Sequence, residues 1–298
     1  MTKTLRAAIE VGAIPRKGGV SEFAVWAPDA STVAVVVEEP GGGRSTATRL
    51  TRSDDGYFTG EAAAAPRTRY RYLVDDRGPF PDPASRWQPD GPFGPSAVVD
   101  PRAFGWTDQA WRGPAADALV VYEMHVGTFT REGTWRAACA HLARLRNLGI
   151  SAIEMMPVAD FPGRFGWGYD GVSLYAPSHL YGEPDDLRAF VDAAHAAGIA
   201  VILDVVYNHI GVSGSFLAEF SKAYHAASSS DWGPSFNFDG PDSTPVREFV
   251  SANAAYWVRE FHFDGLRLDA VHAIRDRSPV HIVRALAARA RAAAGDRR

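Results

Sequence analysis

From about residue 118 the chain repeats one pattern, a short and almost continuously apolar run followed by a helical stretch. The first run is Leu119 to Met124, and the helix Trp135 to Leu148 follows it, closed by Gly149. Ala152 to Val158 is the second run; past a loop rich in glycine and aromatics comes the helix Pro184 to Ala197, closed by Gly198. The third run, Ala200 to Tyr207, leads through a long loop to a helix at about 246–261, a fourth run at 264–271, and an alanine- and arginine-rich helix at about 279–294. Strands this apolar are buried on both faces, so the pattern calls for a parallel sheet covered by its own helices. A (β/α)8 barrel and a doubly wound open sheet both meet that requirement. The open sheet has less support, because no glycine-rich phosphate loop lies between the first strand and the first helix. Polar residues gather at the C-terminal ends of the runs: His125, Asp204, Asn208, His209, Arg267 and Asp269. In a barrel that rim carries the chemistry.

The first hundred residues follow another rule. Phe23 and Val25, then Val33, Val35 and Val37, alternate with polar residues, with Pro28-Asp29 as a turn between them. Gly41-Gly42-Gly43, Asp54-Asp55-Gly56 and Asp75-Asp76-Arg77-Gly78 mark further turns around strand-like runs at Tyr57–Thr59 and Tyr70–Val74. Short strands at close spacing indicate an all-β, immunoglobulin-like sandwich. The proline-rich stretch over 79–117 reads as a linker packed on its neighbour. The expected division is therefore a sandwich over 1–100, a linker over 101–117 and the βα region over 118–298.

Composition excludes several classes of function. A net charge of -4 leaves no basic footprint for nucleic acid or an anionic membrane. No run is long and apolar enough to span a bilayer, which makes the cytoplasm the default location. The lone Cys139 excludes an internal disulfide framework and a cysteine-rich zinc site, and its helix-like surroundings make it a buried thiol.

Three segments carry candidate chemistry. Arg267 and Asp269 lie two apart on a strand and so point to one side, and a carboxylate held beside a guanidinium suits a glycosidase nucleophile. The bland alternative is a buried ion pair closing the barrel. In Asp204-Val205-Val206-Tyr207-Asn208-His209 the polar end could orient sugar hydroxyls or fix the arginine, or simply cap a loop. In Gly166-Trp167-Gly168-Tyr169-Asp170 two glycines allow a sharp bend and close ligand approach. Trp167 and Tyr169 there form either a stacking platform or ordinary loop packing.

Together these segments resemble the α-amylase superfamily of retaining glycosidases, glycoside hydrolase family 13. The resemblance runs through Phe23-Ala24-Val25-Trp26-Ala27-Pro28, Tyr122 to Thr130 with Glu132-Gly133-Thr134-Trp135, Trp167 to Val172, Asp204 to His209, Asn237 to Pro241 and Phe263 to Ile274. Within the superfamily it is nearest to the malto-oligosyltrehalose trehalohydrolase branch, favoured by the stretch from His125 to Trp135 and by Asp269 to Ile274. The resemblance implies a carbohydrate-binding-module-48/E-set-like sandwich and a maltooligosaccharide or maltooligosyltrehalose substrate, with no cofactor and no metal. It makes Asp269 the nucleophile, with Arg267 holding it and contacting the sugar. Tyr169 would stack beneath that sugar, His209 would hydrogen-bond it, Asp204 would brace the arginine, and Trp167 and His272 would add substrate contacts. Many amylases place a Lys-His pair two residues beyond the nucleophile. His272 and Ala273 stand in that region here, so amylase-like acceptor contacts do not carry over.

A closed barrel needs about 250 residues, and only four of its βα units are recognisable before Arg298. The expectation is an N-terminal portion: a sandwich and the first four βα units of a TIM barrel, without the family's acid/base glutamate. Glu219, Glu248 and Glu260 lie in loop or helix before Asp269 and are not candidates for it. Negligible activity of this chain alone, and aggregation or self-association through the open barrel, are expected to follow. Two competing readings are a glycogen branching enzyme and a non-catalytic α-glucan-binding protein.

Overall fold

The computed structural model describes residues 10–38, 45–115 and 119–295, so the Gly41-Gly42-Gly43 turn lies outside the described residues. The N-terminal strands are β1 Gly12–Pro15, β2 Val20–Trp26, β3 Val33–Val37, β4 Thr46–Arg49, β5 Thr51–Arg52, β6 Tyr57–Ala63, β7 Arg69–Val74, β8 Arg77–Phe80 and β9 Ser96–Ala97. They form two antiparallel sheets, β1-β2-β6-β5 and β4-β3-β7-β8, with β9 also on β7. Period-two alternation puts Val33, Val35 and Val37 in the core with Phe23 and Val25. Phe23 meets Tyr70 and Tyr72 edge-on, with ring centroids 5.0 and 6.5 Å apart.

Two expectations change here. The turn read as Asp75 to Gly78 is only Asp75-Asp76, both at positive φ (47° and 62°), and Arg77 already begins β8. Two left-handed residues in succession suit a tight hairpin, which asparagine and aspartate tolerate. The proline-rich stretch is likewise less of a linker than expected, because β8 and β9 belong to the sandwich sheet.

The βα region contains β10 Val121–Met124, α1 Val126–Phe129, α2 Trp135–Cys139, α3 Leu142–Asn147, β11 Ala152–Met155, β12 Ala159–Asp160, β13 Ser173–Pro177, α4 Pro184–Ala196 and β14 Ala200–Val205. It continues with α5 Leu217–Phe220, β15 His225–Ser230, β16 Gly233–Phe236, α6 Ser243–Phe261, β17 Gly265–Leu268 and α7 Ile282–Ala294. The four long-range strands pair in parallel in the order β10-β11-β14-β17. Spatial order that follows chain order in one direction is barrel winding; a doubly wound sheet reverses its strand order. Residues Ile153, Met155, Val201 and Leu203 are buried against the helices, while Glu154, Ile202 and Arg267 occupy the other, more open face. At the β10 edge Leu119, Val120, Val121 and Tyr122 stay 37–52% exposed, because β10 has a strand on one side only.

The helix read as Trp135 to Leu148 is two helices. Thr134 caps α2 by accepting from the Ala137 amide, and the last turn tightens as the Ala140 amide donates to Ala137 O. His141 then turns its ring edge-on to Phe129, at 5.5 Å between centroids, and α3 starts again. The small sheets β12–β13 and β15–β16 and the short helices α1 and α5 were not legible as elements, since each is too short to show a period.

The sandwich packs on the loop that leaves β14. Trp26 meets Tyr224 and Tyr72 meets Phe220 edge-on, at 5.2 and 5.9 Å. Ser221 Oγ donates to Asp29 Oδ2 at 3.1 Å, and Arg77 pairs with Glu219 at 2.6 Å. A bidentate Arg67–Glu183 pair, 2.8 Å on each arm, joins the sandwich to the start of α4.

Candidate active site

Parallel register sets Asp204 of β14 directly beside Arg267 of β17. Arg267 Nη1 donates to Asp204 Oδ2 at 2.7 Å and to Asp269 Oδ1 at 2.9 Å, so one nitrogen ties the two aspartates together. Its Nε lies 3.8 Å from Glu154 Oε1, which reaches it from β11, across β14. Asn208 Nδ2 holds the far side of Asp269, donating to its Oδ2 at 3.2 Å and its carbonyl at 3.0 Å. The ladder also continues past β17, since the Asp269 amide donates to Val205 O at 3.0 Å. Ala270 then takes φ 41°, a left-handed conformation that costs a non-glycine residue energy and turns the chain sharply after Asp269.

Burial shapes the electrostatics. Asp204 is 1% exposed, and its Oδ1 has no hydrogen-bond partner. Loss of water pushes its carboxyl up to about 6 even though Arg267 opposes the shift. Tyr169 donates its hydroxyl to Asp204 Oδ2 at 3.1 Å, and burial together with that carboxylate pushes the phenol up to about 12. The Arg267 guanidinium is held more firmly protonated still, first by its hydrogen bond to Asp204.

The loop carrying Tyr169 is fixed at several points. His125 Nε2 donates to Gly166 O at 2.8 Å and His209 Nε2 to Tyr169 O at 2.8 Å. His209 Nδ1 lies against Asn208 Oδ1, so this buried ring links the Tyr169 loop to the residue that grips Asp269. Gly168 has φ 95°, and a Cβ there would sit 2.1 Å from Pro157 O. Gly168→Ala is therefore expected to cost more than about 1 kcal/mol and to make the loop a preferred cut in limited proteolysis. An unchanged cleavage pattern would count against this tight seat.

The structure brings Arg267, Asp269, Asp204 and Tyr169 together, with Asn208 and His209 behind them. Trp167 is separate, 74% exposed on the same loop, and His272 is exposed on the turn after β17. Glu219, Glu248 and Glu260 are engaged elsewhere, with Arg77, Arg289 and the Arg86–Arg259 pair respectively. Two contributors carry weaker sequence signals. Asn208 grips Asp269 directly, and Glu154 faces the same guanidinium. Glu154 had a visible signal, being the one charged residue in the Ala152–Val158 run. Cys139 is half-buried, and burial raises its thiol, as suits a packed rather than a reactive sulfur.

A cavity of about 660 Å³ opens beside Asn208, lined by His225, Asn237, Phe238, Ile274 and the Asp239–Arg277 ion pair. Among the described residues, no three His, Cys, Asp or Glu side chains cluster as a metal site, and no helix is long and apolar enough to cross a membrane.

Residues 10–101 match the family model for carbohydrate-binding module 48 (isoamylase N-terminal domain), and residues 99–241 match that for the α-amylase catalytic domain. The second match ends before Arg267 and Asp269. A malto-oligosyltrehalose trehalohydrolase from Arthrobacter ramosus is 46% identical over 277 residues, covering 92% of this chain and 48% of the relative. One from Saccharolobus solfataricus is 44% identical over 89% of this chain and 46% of its own length. The crystal structure of a putative α-amylase from Salmonella typhimurium superposes with a TM-score of 0.88 at 41% identity, over 96% of this chain and 48% of the other. The chain thus spans about half the length of the curated relatives it matches.

Proposed function

The chain belongs to the α-amylase family of glycoside hydrolases, and from that premise we propose that it cleaves the α-1,4 bond next to the terminal trehalose of maltooligosyltrehalose, with retention, releasing trehalose. Asp269 is the nucleophile. Its Oδ1 is tied through Arg267 Nη1 to Asp204 and its Oδ2 is held by Asn208, and this shared grip is the observation that carries the reading.

In the first step a carboxylate oxygen of Asp269 bonds to the sugar's C1 while the C1–O bond to the leaving group breaks, and the leaving oxygen takes a proton from an acid. Water then attacks C1 from the opposite side, giving a proton to the conjugate base of that acid, as the bond between C1 and the Asp269 oxygen breaks. No described residue is assigned as that acid. Arg267 keeps the attacking oxygen aimed, and Asp204 keeps Arg267 in place. Tyr169, anchored through its hydroxyl, offers its ring as the floor for the sugar, and His209 holds the backbone beneath it. The cavity beside Asn208 receives the trehalose unit, and exposed His272 adds a further substrate contact. The names of the relatives support trehalose as the leaving group, and Ala273, where many amylases have histidine, leaves that side free of their acceptor contacts.

The test compares ligands of equal length by titration calorimetry. A maltooligosaccharide ending in trehalose should bind about tenfold more tightly than the plain chain, a difference of about 1.4 kcal/mol. Equal affinities would contradict the trehalose reading and leave a general α-glucan site.

A further inference from the structure

The loop that presents Tyr169 also holds Phe165, an aromatic residue outside the cluster around Asp269. Phe165 is 88% exposed, more than any other large apolar side chain described, and Trp167 two residues on is 74% exposed. Large aromatic surface left in water on a floppy tip would be unremarkable, but this backbone is pinned. Gly166 sits between the two rings, its carbonyl taken by His125 Nε2 at 2.8 Å. Its inner side is closed by Phe161, whose Cε2 would lie 2.9 Å from a Cβ at Gly166. Gly168 is seated against Pro157 O in the same way. With the inner side filled, Phe165 and Trp167 can only turn outward. The Arg164 guanidinium lies 5.7 Å from the Phe165 ring centroid, within cation–π reach. A held backbone and an exposed aromatic face together make a surface whose main chain is already set for binding, which lowers the ordering cost.

We propose that Phe165, backed by Arg164, is a second stacking platform for an α-glucan chain, continuing the floor that Tyr169 begins. The occupant is a glucan of more than two glucose units, whose further rings lay their apolar faces on Phe165. Short sugars engage Tyr169 alone and never reach it. Phe165 is thus a determinant of chain-length preference, and this rests on the reading of the Tyr169 loop as an α-glucan site.

The test is titration calorimetry of the wild-type chain, Phe165→Ala, Phe165→Trp and Tyr169→Ala with maltose and with maltoheptaose. Phe165→Ala should weaken maltoheptaose about three- to tenfold, the range for losing one aromatic contact, and leave maltose unchanged. Phe165→Trp should restore the affinity. Equal weakening of both sugars by Phe165→Ala would overturn the proposal, because that marks a disturbed loop and not a remote platform. Unchanged maltoheptaose affinity in Phe165→Ala, with binding lost in Tyr169→Ala, would overturn it while sparing the glucan site. If Tyr169→Ala also binds normally, the glucan-site reading falls along with it.

Discussion

Arg267→Lys is expected to slow the transfer of an α-maltooligosyl fluoride onto Asp269 by about 10²–10³-fold, the usual cost of removing one preorganised donor. Affinity for the unreactive maltooligosaccharide should change little. Arginine serves two carboxylates from one nitrogen, Asp204 Oδ2 at 2.7 Å and Asp269 Oδ1 at 2.9 Å, and keeps its Nε toward Glu154. A lysine ammonium carries the charge but lacks the planar fork, so it cannot hold that geometry. Asp204 is already buried with one oxygen unpartnered, which leaves it poorly placed to tolerate a looser partner. Fluoride needs little protonation to leave, so fluoride release reports the nucleophilic step alone, and calorimetry reports binding. A rate within threefold of wild type would remove Arg267 from that step.

The largest expected loss of stability lies at the opposite end of the sheet, in Asp108→Ala. His195 Nδ1 and His262 Nδ1 both reach Asp108 Oδ2, at 2.9 and 2.8 Å, while His195 Nε2 reaches Asp264 Oδ2 at 3.0 Å. Trp106 stacks on His262 at 3.7 Å, and Trp111 stacks on His195 at 4.7 Å while donating to Asp264 Oδ1 at 2.7 Å. This network fastens the segment entering the βα region to the ends of α4 and α6. Removing its central carboxylate strands buried polar partners, a change worth about 3 kcal/mol, or about 6–12 °C in melting temperature. Burial opposes ionisation of Asp108, but the hydrogen bonds from His262 and His195 outweigh it and hold the carboxyl below its usual range. A lowered folded-state value means the stabilisation is complete above about pH 4 and is lost as pH falls through that lower value. Calorimetric melting at pH 7 should therefore separate wild type from variant clearly, and the gap should narrow on acidification below pH 4. A gap that stays constant down to pH 2 would show that Asp108 acts by packing alone.

The βα alternation makes the sheet legible because the apolar runs are too short for buried helices and each is followed by a longer helical stretch, the first two closed by glycine. The spacing of Arg267 and Asp269 likewise determined that they share a face, and their hydrogen bonds meet on that face. What could not be read locally came from contacts between distant segments. Whether His209 faces a ligand or the loop depends on Tyr169, forty residues earlier, whose carbonyl its Nε2 holds. At the break between α2 and α3, His141 meets Phe129, a contact twelve residues apart that no local period announces. Glu154 looks like a lone charge inside a strand and acquires a meaning only when the sheet brings its carboxylate to 3.8 Å from Arg267 Nε, diagonally across β14.

Asp269 should act as the nucleophile of an α-glucan site. Incubation with a 5-fluoro-α-maltooligosyl fluoride, followed by peptide mass mapping, tests it most directly, because the fluorine slows hydrolysis of any glycosyl-enzyme that forms. A single adduct on the peptide carrying Asp269, absent from Asp269→Asn, is the expected result. An adduct on another carboxylate that survives in Asp269→Asn, or no adduct at a concentration of reagent that calorimetry shows to saturate the site, would contradict it.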